Sequence, residues 1–158
     1  MTSLEHSRAI VLGPGEGHRI PGPEGLTVKA TGQATNGSIG FLEATSVPGF
    51  GAPRHVHYDC DEVFYVLGGE FEFLLGEQVV AGRPGSFVFV PRGTVHAPRV
   101  VGPAPGKVLI AFVPGGQEAA FHEFAELAGS LGEHPDPMDE RLRAIAAKYR
   151  SEIVGPPL

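Results

Sequence analysis

The chain has 158 residues, of which 42% are hydrophobic, and it carries a formal net charge of -6 with a pI near 5.6. That length suits one domain with a buried core. The sequence has no basic cluster for a nucleic-acid partner and no apolar run near the roughly 18 residues that span a bilayer. Because the N-terminus also lacks a basic-then-apolar leader and Cys60 is the single cysteine, we expect a cytoplasmic protein.

The N-terminal residues 1–24 predict an extended arm, because glycine and proline interrupt them and few apolar residues follow Leu12. One edge strand is predicted at 8–12, and such arms often pair with a partner subunit. The Gly13-Pro14-Gly15-Glu16-Gly17 segment reads as a flexible loop, since it lacks the strand-to-helix context of a phosphate-binding loop.

The region 25–115 predicts a β-sandwich or barrel. Its 23 glycines and 15 prolines, counted over the whole chain, punctuate short apolar runs instead of clustering. In the segment 70–75 the alternation is clean at first: Phe71, Phe73 and Leu75 share one face, and Glu70 and Glu72 lie on the other, so only one face meets water. Strands are predicted at 26–31, 38–47, 54–57, 62–67, 70–75, 78–81, 86–90, 96–101 and 107–113.

The segment 116–158 predicts a helical extension with two helices. Phe121 and Phe124 recur at helical spacing in the first, and Gly129 is its predicted end. The second is predicted to start with Asp136 as N-cap and Pro137 in the first turn. Its apolar stripe comprises Met138, Leu142, Ile145 and Tyr149.

Four side chains carry the chemistry. His55 and His57 are two residues apart, so both imidazoles face the same side of a strand. Glu62 and His96 complete a donor set that suits divalent Fe, Ni, Cu, Co, Mn or Zn, and the absence of a thiolate cluster argues against a structural zinc or iron–sulfur site. The alternative is that ordinary hydrogen bonds satisfy these histidines. Cys60, between His57 and Glu62, is a weaker candidate for a soft ligand or a redox-sensitive thiol.

The spacing of these residues resembles the two motifs of the cupin superfamily. Gly49-x5-His55-x-His57-x4-Glu62-x6-Gly69 matches the first motif, and Gly85-x5-Pro91-x-Gly93-x2-His96 matches the second. Val100 replaces the terminal asparagine of the second motif, which is a non-ligating position in the family. The resemblance covers residues 40–114.

The resemblance implies an all-β fold: a jelly-roll barrel (double-stranded β-helix) with two C-terminal helices. It implies one divalent metal ion held by His55, His57, Glu62 and His96 with one or two open positions, and a homodimer. If Glu62 faces inward, Phe64 and Val66 share its face, so the metal would lie at one end of an apolar cavity that suits a small aromatic or enolic substrate.

The chain is similar to small cupins of the quercetin 2,3-dioxygenase-like group. The leading hypothesis is therefore a metal-dependent dioxygenase in which Glu62 also accepts the substrate proton. A non-oxidative cyclase or isomerase would use the same Lewis acid to stabilise an enolate. A small-ligand-binding module without turnover is the third hypothesis.

The remaining polar candidates receive structural or surface roles in this interpretation. Arg92 and Thr94 flank the His96 segment and stay outside the predicted site. The histidines outside the two motifs are expected to be solvated or structural, with His122 the one worth mutating: His6, His18, His122 and His134.

Overall fold

The computed structural model describes residues 8–132 and 136–158, and its described part is built from eleven strands and two α-helices. Short apolar runs bounded by glycine and proline form the strands, as the sequence predicts. The strands are β1 His18–Ile20, β2 Leu26–Ala30, β3 Gly40–Ser46, β4 Arg54–His57, β5 Asp61–Gly68, β6 Glu70–Leu75, β7 Gln78–Gly82, β8 Phe87–Val90, β9 His96–Val101, β10 Gly106–Val113 and β11 Ser151–Gly155.

The strands form two antiparallel sheets that pack face to face. The six-stranded sheet has the order β1-β2-β3-β10-β5-β8, and the five-stranded sheet has the order β11-β4-β9-β6-β7. Consecutive strands β4 and β5, β5 and β6, and β8 and β9 lie in different sheets, which is the crossing pattern of a jelly roll. The predicted fold class is confirmed.

Inward-facing side chains of both sheets fill the space between them. Phe64 of β5 lies 5.2 Å from Phe73 of β6, measured between ring centroids, so the sheets meet through aromatic rings. Phe71 and Phe73 are buried as the alternation predicts, and Val66 on the Glu62 face is fully buried. Burying each of these rings removes about 150–250 Å² of surface from water, which makes them a main source of the fold's stability.

The edges of the six-stranded sheet differ from the sequence prediction. The predicted strand at 8–12 is wrong: residues 8–17 contain no strand, and the edge of β2 is instead paired with β1, His18–Ile20. Ile10 and Leu12 lie against Phe41 on the outside of this sheet.

The β5–β6 turn requires a glycine at position 69. Gly69 has a φ of 72°, and a Cβ there would lie 2.4 Å from the Pro105 carbonyl oxygen.

The C-terminal segment contains two helices, as predicted, but their ends differ. A 3₁₀ turn at Gln117–Ala119 leads into α1, Ala120–Leu131, which passes the predicted end at Gly129 and ends before Gly132. The second helix, α2, is Glu140–Lys148, and its N-cap is Asp139, whose side chain accepts a hydrogen bond from Arg141 N. Asp136 is not the N-cap; it accepts from Met138 N one turn earlier.

The strand β11 was not predicted from the sequence. Ser151–Gly155 pairs antiparallel with β4, so that Ser151 lies opposite His57 and Ile153 opposite His55. Ile153 packs with Leu142 and Ala146 of α2 in a second apolar cluster. The C-terminal segment therefore supports the strand that carries two candidate ligands.

In the described residues, neither helix is long and apolar enough to cross a membrane. The division into an arm 1–24, a barrel 25–115 and an extension 116–158 stays a prediction.

Candidate metal centre

The four predicted side chains come together between the two sheets. His55 and His57 extend inward from β4, Glu62 from β5 and His96 from β9, and one ligand atom from each lies within 4.8 Å of all the others. The register explains the meeting, because His55 pairs directly with His96 across β4 and β9. The turn that leads to His96 is held by Gly93, whose backbone N–H donates to the His57 carbonyl at 2.7 Å.

One carboxylate oxygen forms the centre of the cluster. Oε2 of Glu62 lies 2.6 Å from Nε2 of His96 and 3.0 Å from Nε2 of His57. His55 completes the group through ring contacts, with its centroid 4.3 Å from that of His96 and 5.0 Å from that of His57. His57, Glu62 and His96 are each at most 6% exposed. His55 is half-buried, which leaves one side of the cluster accessible.

Two of the imidazoles have a fixed tautomer. Nδ1 of His55 lies 2.7 Å from the Pro53 carbonyl oxygen, and Nδ1 of His96 lies 2.9 Å from the Thr94 carbonyl oxygen. Because a carbonyl oxygen only accepts, each Nδ1 must carry the proton, and in the neutral ring Nε2 then presents a lone pair to the cluster. His57 differs, since its Nδ1 faces the Ser151 hydroxyl.

This donor set fits a divalent cation. Imidazole lone pairs and a carboxylate converge on a volume where, without a cation, they would repel one another or have to share protons. Neutral nitrogen and anionic oxygen donors of this kind suit Fe, Ni, Co, Mn, Cu or Zn. The described part of the chain brings no thiolate into the cluster.

Burial and proximity set the charges of the cluster. Burial opposes ionisation of Glu62, but the hydrogen bonds from His57 and His96 outweigh it and hold the Glu62 pKa well below its usual range. Burial, followed by the neighbouring charges of His96 and His57, lowers the pKa of His55 to about 3. Burial also disfavours a charged His96, yet the Glu62 carboxylate outweighs it and raises the His96 pKa. Glu62 is therefore anionic and His55 neutral near neutral pH, as ligands must be.

Aromatic side chains form the apolar wall of the site. The Phe112 ring lies 5.4 Å from the His57 ring, and Phe64 lies 6.4 Å from His96. Phe64 shares the inward face of β5 with Glu62, as predicted. Buried Phe64 and Phe73 fill the interior next to the cluster, where the sequence predicts an apolar cavity. The accessible side of the cluster is therefore the side of the half-buried His55.

The sequence analysis did not single out Glu24. This half-buried residue precedes β2, its carbonyl oxygen accepts a hydrogen bond from the buried Ser46, and no group of the described residues donates to its carboxylate. Burial and the charge of Glu62 raise its pKa to about 7. No motif signal marks Glu24, because its position depends on how β2 and β3 pair.

The remaining sequence candidates lie outside the cluster. Cys60 is buried, and burial raises the pKa of its thiol to about 12, so a thiolate role has no support. Arg92 is exposed and pairs with Asp61, as expected of a surface residue. The His122 ring packs at a tilt against the His18 ring, with 4.6 Å between centroids. His6 and His134 lie outside the described residues.

The fold and the cluster define a jelly-roll protein with a candidate mononuclear metal centre. The family model described as "Cupin domain" matches residues 42–112. Quercetin 2,3-dioxygenase from Bacillus subtilis is 32% identical over 91 residues, which are 57% of this chain and 27% of that enzyme. The chain thus aligns with about a quarter of that curated relative.

Solved structures share the fold at low sequence identity. An RmlC-like cupin from Shewanella frigidimarina has a TM-score of 0.60 and 21% identity, over 72% of this chain and 96% of that one. KdgF from a Halomonas species has a TM-score of 0.55 and 20% identity, over 61% and 84% of the two chains. With both motifs and the jelly roll in place, residues 42–112 form a cupin domain.

Proposed function

We propose that this protein is a metal-dependent dioxygenase that acts on a small aromatic or enolic compound, with His55, His57, Glu62 and His96 as the metal ligands. The observation that carries the proposal is the convergence of three imidazoles and one carboxylate within 4.8 Å beside aromatic side chains. The partial similarity to quercetin 2,3-dioxygenase supports the same class of chemistry.

A bound divalent metal would supply Lewis acidity, which lowers the pKa of an enol or phenol that reaches it. The chain's own residues bind the metal and the substrate, exclude water and move protons. Phe64 and Phe112 wall the cluster and keep water from the reacting face. The half-buried His55 lies on the side by which a substrate reaches the centre.

Glu62 is the proposed proton acceptor as well as a ligand. Its Oε2 is engaged by His57 and His96, so accepting a substrate proton requires weaker metal binding or use of the other carboxylate oxygen. Glu24, with a pKa near 7, is a second carboxyl able to exchange a proton near neutral pH. A cytoplasmic location completes the proposal, and the lone buried thiol of Cys60 fits a reducing compartment.

The test is oxygen uptake by protein reconstituted separately with Fe, Ni, Co or Mn, in the presence of a flavonol and of a simple enolic diketone. We expect uptake that depends on metal and substrate and disappears in Glu62→Ala. Product formed without oxygen would instead support a metal-dependent cyclase or isomerase. Tight substrate binding without product under either condition would support a ligand-binding module.

We also propose that the chain forms a homodimer through the outer face of its six-stranded sheet. Outward side chains of an uncovered antiparallel sheet are normally polar. Here most outward positions of β5, β8 and β10 are apolar, and Tyr65 lies directly opposite Phe87 across β5 and β8. The charged exceptions are Asp61 and Lys107, which form ion pairs with Arg92 and Glu43. The exposed members are Tyr65 (43%), Leu67 (41%), Phe87 (65%), Phe89 (52%) and Val113 (41%).

The area of this face matches what a second copy would cover. These five side chains present roughly 450 Å² of apolar surface, and Ile10 to Leu12 on the same outer side bring the total to roughly 750 Å². A stable interface needs about 800 Å² from each partner.

Light scattering on the protein as it elutes from a size-exclusion column tests whether it is a dimer. We expect twice the chain mass of 16.6 kDa for the wild type and the single mass for a variant with Phe87→Asp and Phe89→Asp. The matched control is Val79→Asp, which places a charge on a 52% exposed valine of the other sheet and should remain a dimer. A wild-type protein of single mass at micromolar concentration would overturn the proposal.

A further inference from the structure

The Nδ1 atom of His57 has a different kind of partner from those of the other two imidazoles. His55 and His96 each donate to a backbone carbonyl, which fixes their tautomer. Nδ1 of His57 instead lies 2.7 Å from the Ser151 hydroxyl oxygen. Because a hydroxyl both donates and accepts, Ser151 alone leaves the His57 tautomer undecided.

A third side chain decides it. The Ser151 hydroxyl donates to Oε1 of Gln117 at 2.9 Å. Since the hydroxyl has one proton, which this bond uses, it must accept the proton carried by Nδ1 of His57. All three groups are buried: His57 is 6% exposed, Ser151 6% and Gln117 8%. Competition from solvent is therefore weak.

We infer that Ser151 and Gln117 are positioning residues that hold His57 with its proton on Nδ1 and its Nε2 lone pair directed at the metal centre. The inference rests on the metal centre of the proposed function. It gives all three imidazoles the same tautomer by two different means. Outer hydrogen bonds of this kind typically change metal affinity by 10–100-fold when removed.

The position of Ser151 depends on the C-terminal segment. Ser151 begins β11 and lies opposite His57 in the pairing with β4. The same strand is packed against α2 through Ile153, Leu142 and Ala146. Gln117 comes from the 3₁₀ turn that follows the last strand of the six-stranded sheet. Residues after the two ligand motifs therefore shape the metal site.

The affinity test compares Ser151→Ala, Ser151→Thr and a matched control. Ser46→Ala removes another buried serine hydroxyl, one that bonds the Glu24 carbonyl away from the imidazoles. Cobalt(II) affinity is measured by competition with a chelator. We expect 10–100-fold weaker binding for Ser151→Ala, and near-wild-type binding for Ser151→Thr, which keeps the hydroxyl, and for Ser46→Ala. Equal affinity of Ser151→Ala and wild type would overturn the inference.

The tautomer itself provides a second readout that needs no metal. Two-bond proton–nitrogen correlation spectra of the ¹⁵N-histidine-labelled, metal-free protein distinguish Nδ1–H from Nε2–H rings. His57 should carry a proton on Nδ1 in the wild type, in addition to any proton that Nε2 donates to Glu62 while no metal is bound. It should lose the Nδ1 proton in Ser151→Ala and in Gln117→Leu. A His57 ring with no proton on Nδ1 in the wild type would refute the inference. A wild type that binds no metal but has the expected tautomer would contradict the proposed function alone.

Discussion

Replacing Glu24 by glutamine should change the pH dependence of stability in the metal-free protein. Glu24 is half-buried, and its pKa is about 7 in the folded protein against an ordinary value of 4.5. Because the folded-state pKa is the higher one, the folded state favours the protonated carboxyl. The resulting stability is fully present below pH 4.5 and is lost as the pH rises through 7.

The size of the effect follows from the two pKa values. Their difference corresponds to at most about 3 kcal/mol at pH values above both, at 1.36 kcal/mol per tenfold change. Solvent reaches part of the side chain and screens the interaction, so we expect about 1–2 kcal/mol. For a chain of this length that corresponds to about 3–8 °C in the unfolding midpoint.

Thermal unfolding at pH 4.5 and pH 8.5 measures this pH-dependent change in stability. Glu24→Gln should unfold within about 1 °C of the wild type at pH 4.5 and about 3–8 °C above it at pH 8.5. The control, Glu77→Gln, alters an exposed carboxylate in the β6–β7 turn and should match the wild type at both pH values. A Glu24→Gln midpoint that tracks the wild type at pH 8.5 would refute the reasoning. Because a bound dication offsets the charge of Glu62, the difference should shrink on metal loading.

Other changes have equally specific outcomes. Gly106→Ala should lower the free energy of unfolding by about 1–3 kcal/mol in urea, because its Cβ would lie 2.5 Å from Cζ of Phe71. Gly129 lies in α1 with open space around it, so Gly129→Ala should instead raise the free energy of unfolding by up to about 1 kcal/mol. Asp139→Ala should cost about 1 kcal/mol by removing the cap of α2, again by urea unfolding. The Cys60 thiol, buried and with a pKa raised to about 12, should resist iodoacetamide at pH 8 in the native protein and react in urea; rapid native labelling would contradict its burial.

The sequence predicts the ligand strands because their signals are local. His55 and His57 share a face by strand alternation, and the spacing to Glu62 leaves room for one tight turn. The match to the cupin motifs adds His96, which the chain alone separates from His57 by 39 residues. The structure brings the histidines together through pairing between β4 and β9, and Glu62 reaches them from β5 of the facing sheet.

The C-terminal strand and the polar partners depend on long-range contacts that the sequence does not reveal. The segment Ser151–Gly155 is too short and too mixed in composition to predict a strand before its pairing with β4 is known. Ser151 and Gln117 are 34 residues apart, and their meeting with His57 follows from where α2 turns the chain back. Glu24 reaches the neighbourhood of Glu62 through the pairing of β2 with β3.

The most direct test of the account is metal content after reconstitution, measured by elemental analysis on the wild type and on a His55→Ala, His57→Ala double variant. The account predicts about one equivalent of Fe, Ni, Co, Mn, Cu or Zn in the wild type and essentially none in the variant. The wild-type unfolding midpoint should also rise by about 5–10 °C at a free metal concentration 100-fold above Kd. A wild type that takes up no metal under any reconstitution, or a variant that binds as tightly as the wild type, would contradict the central claim.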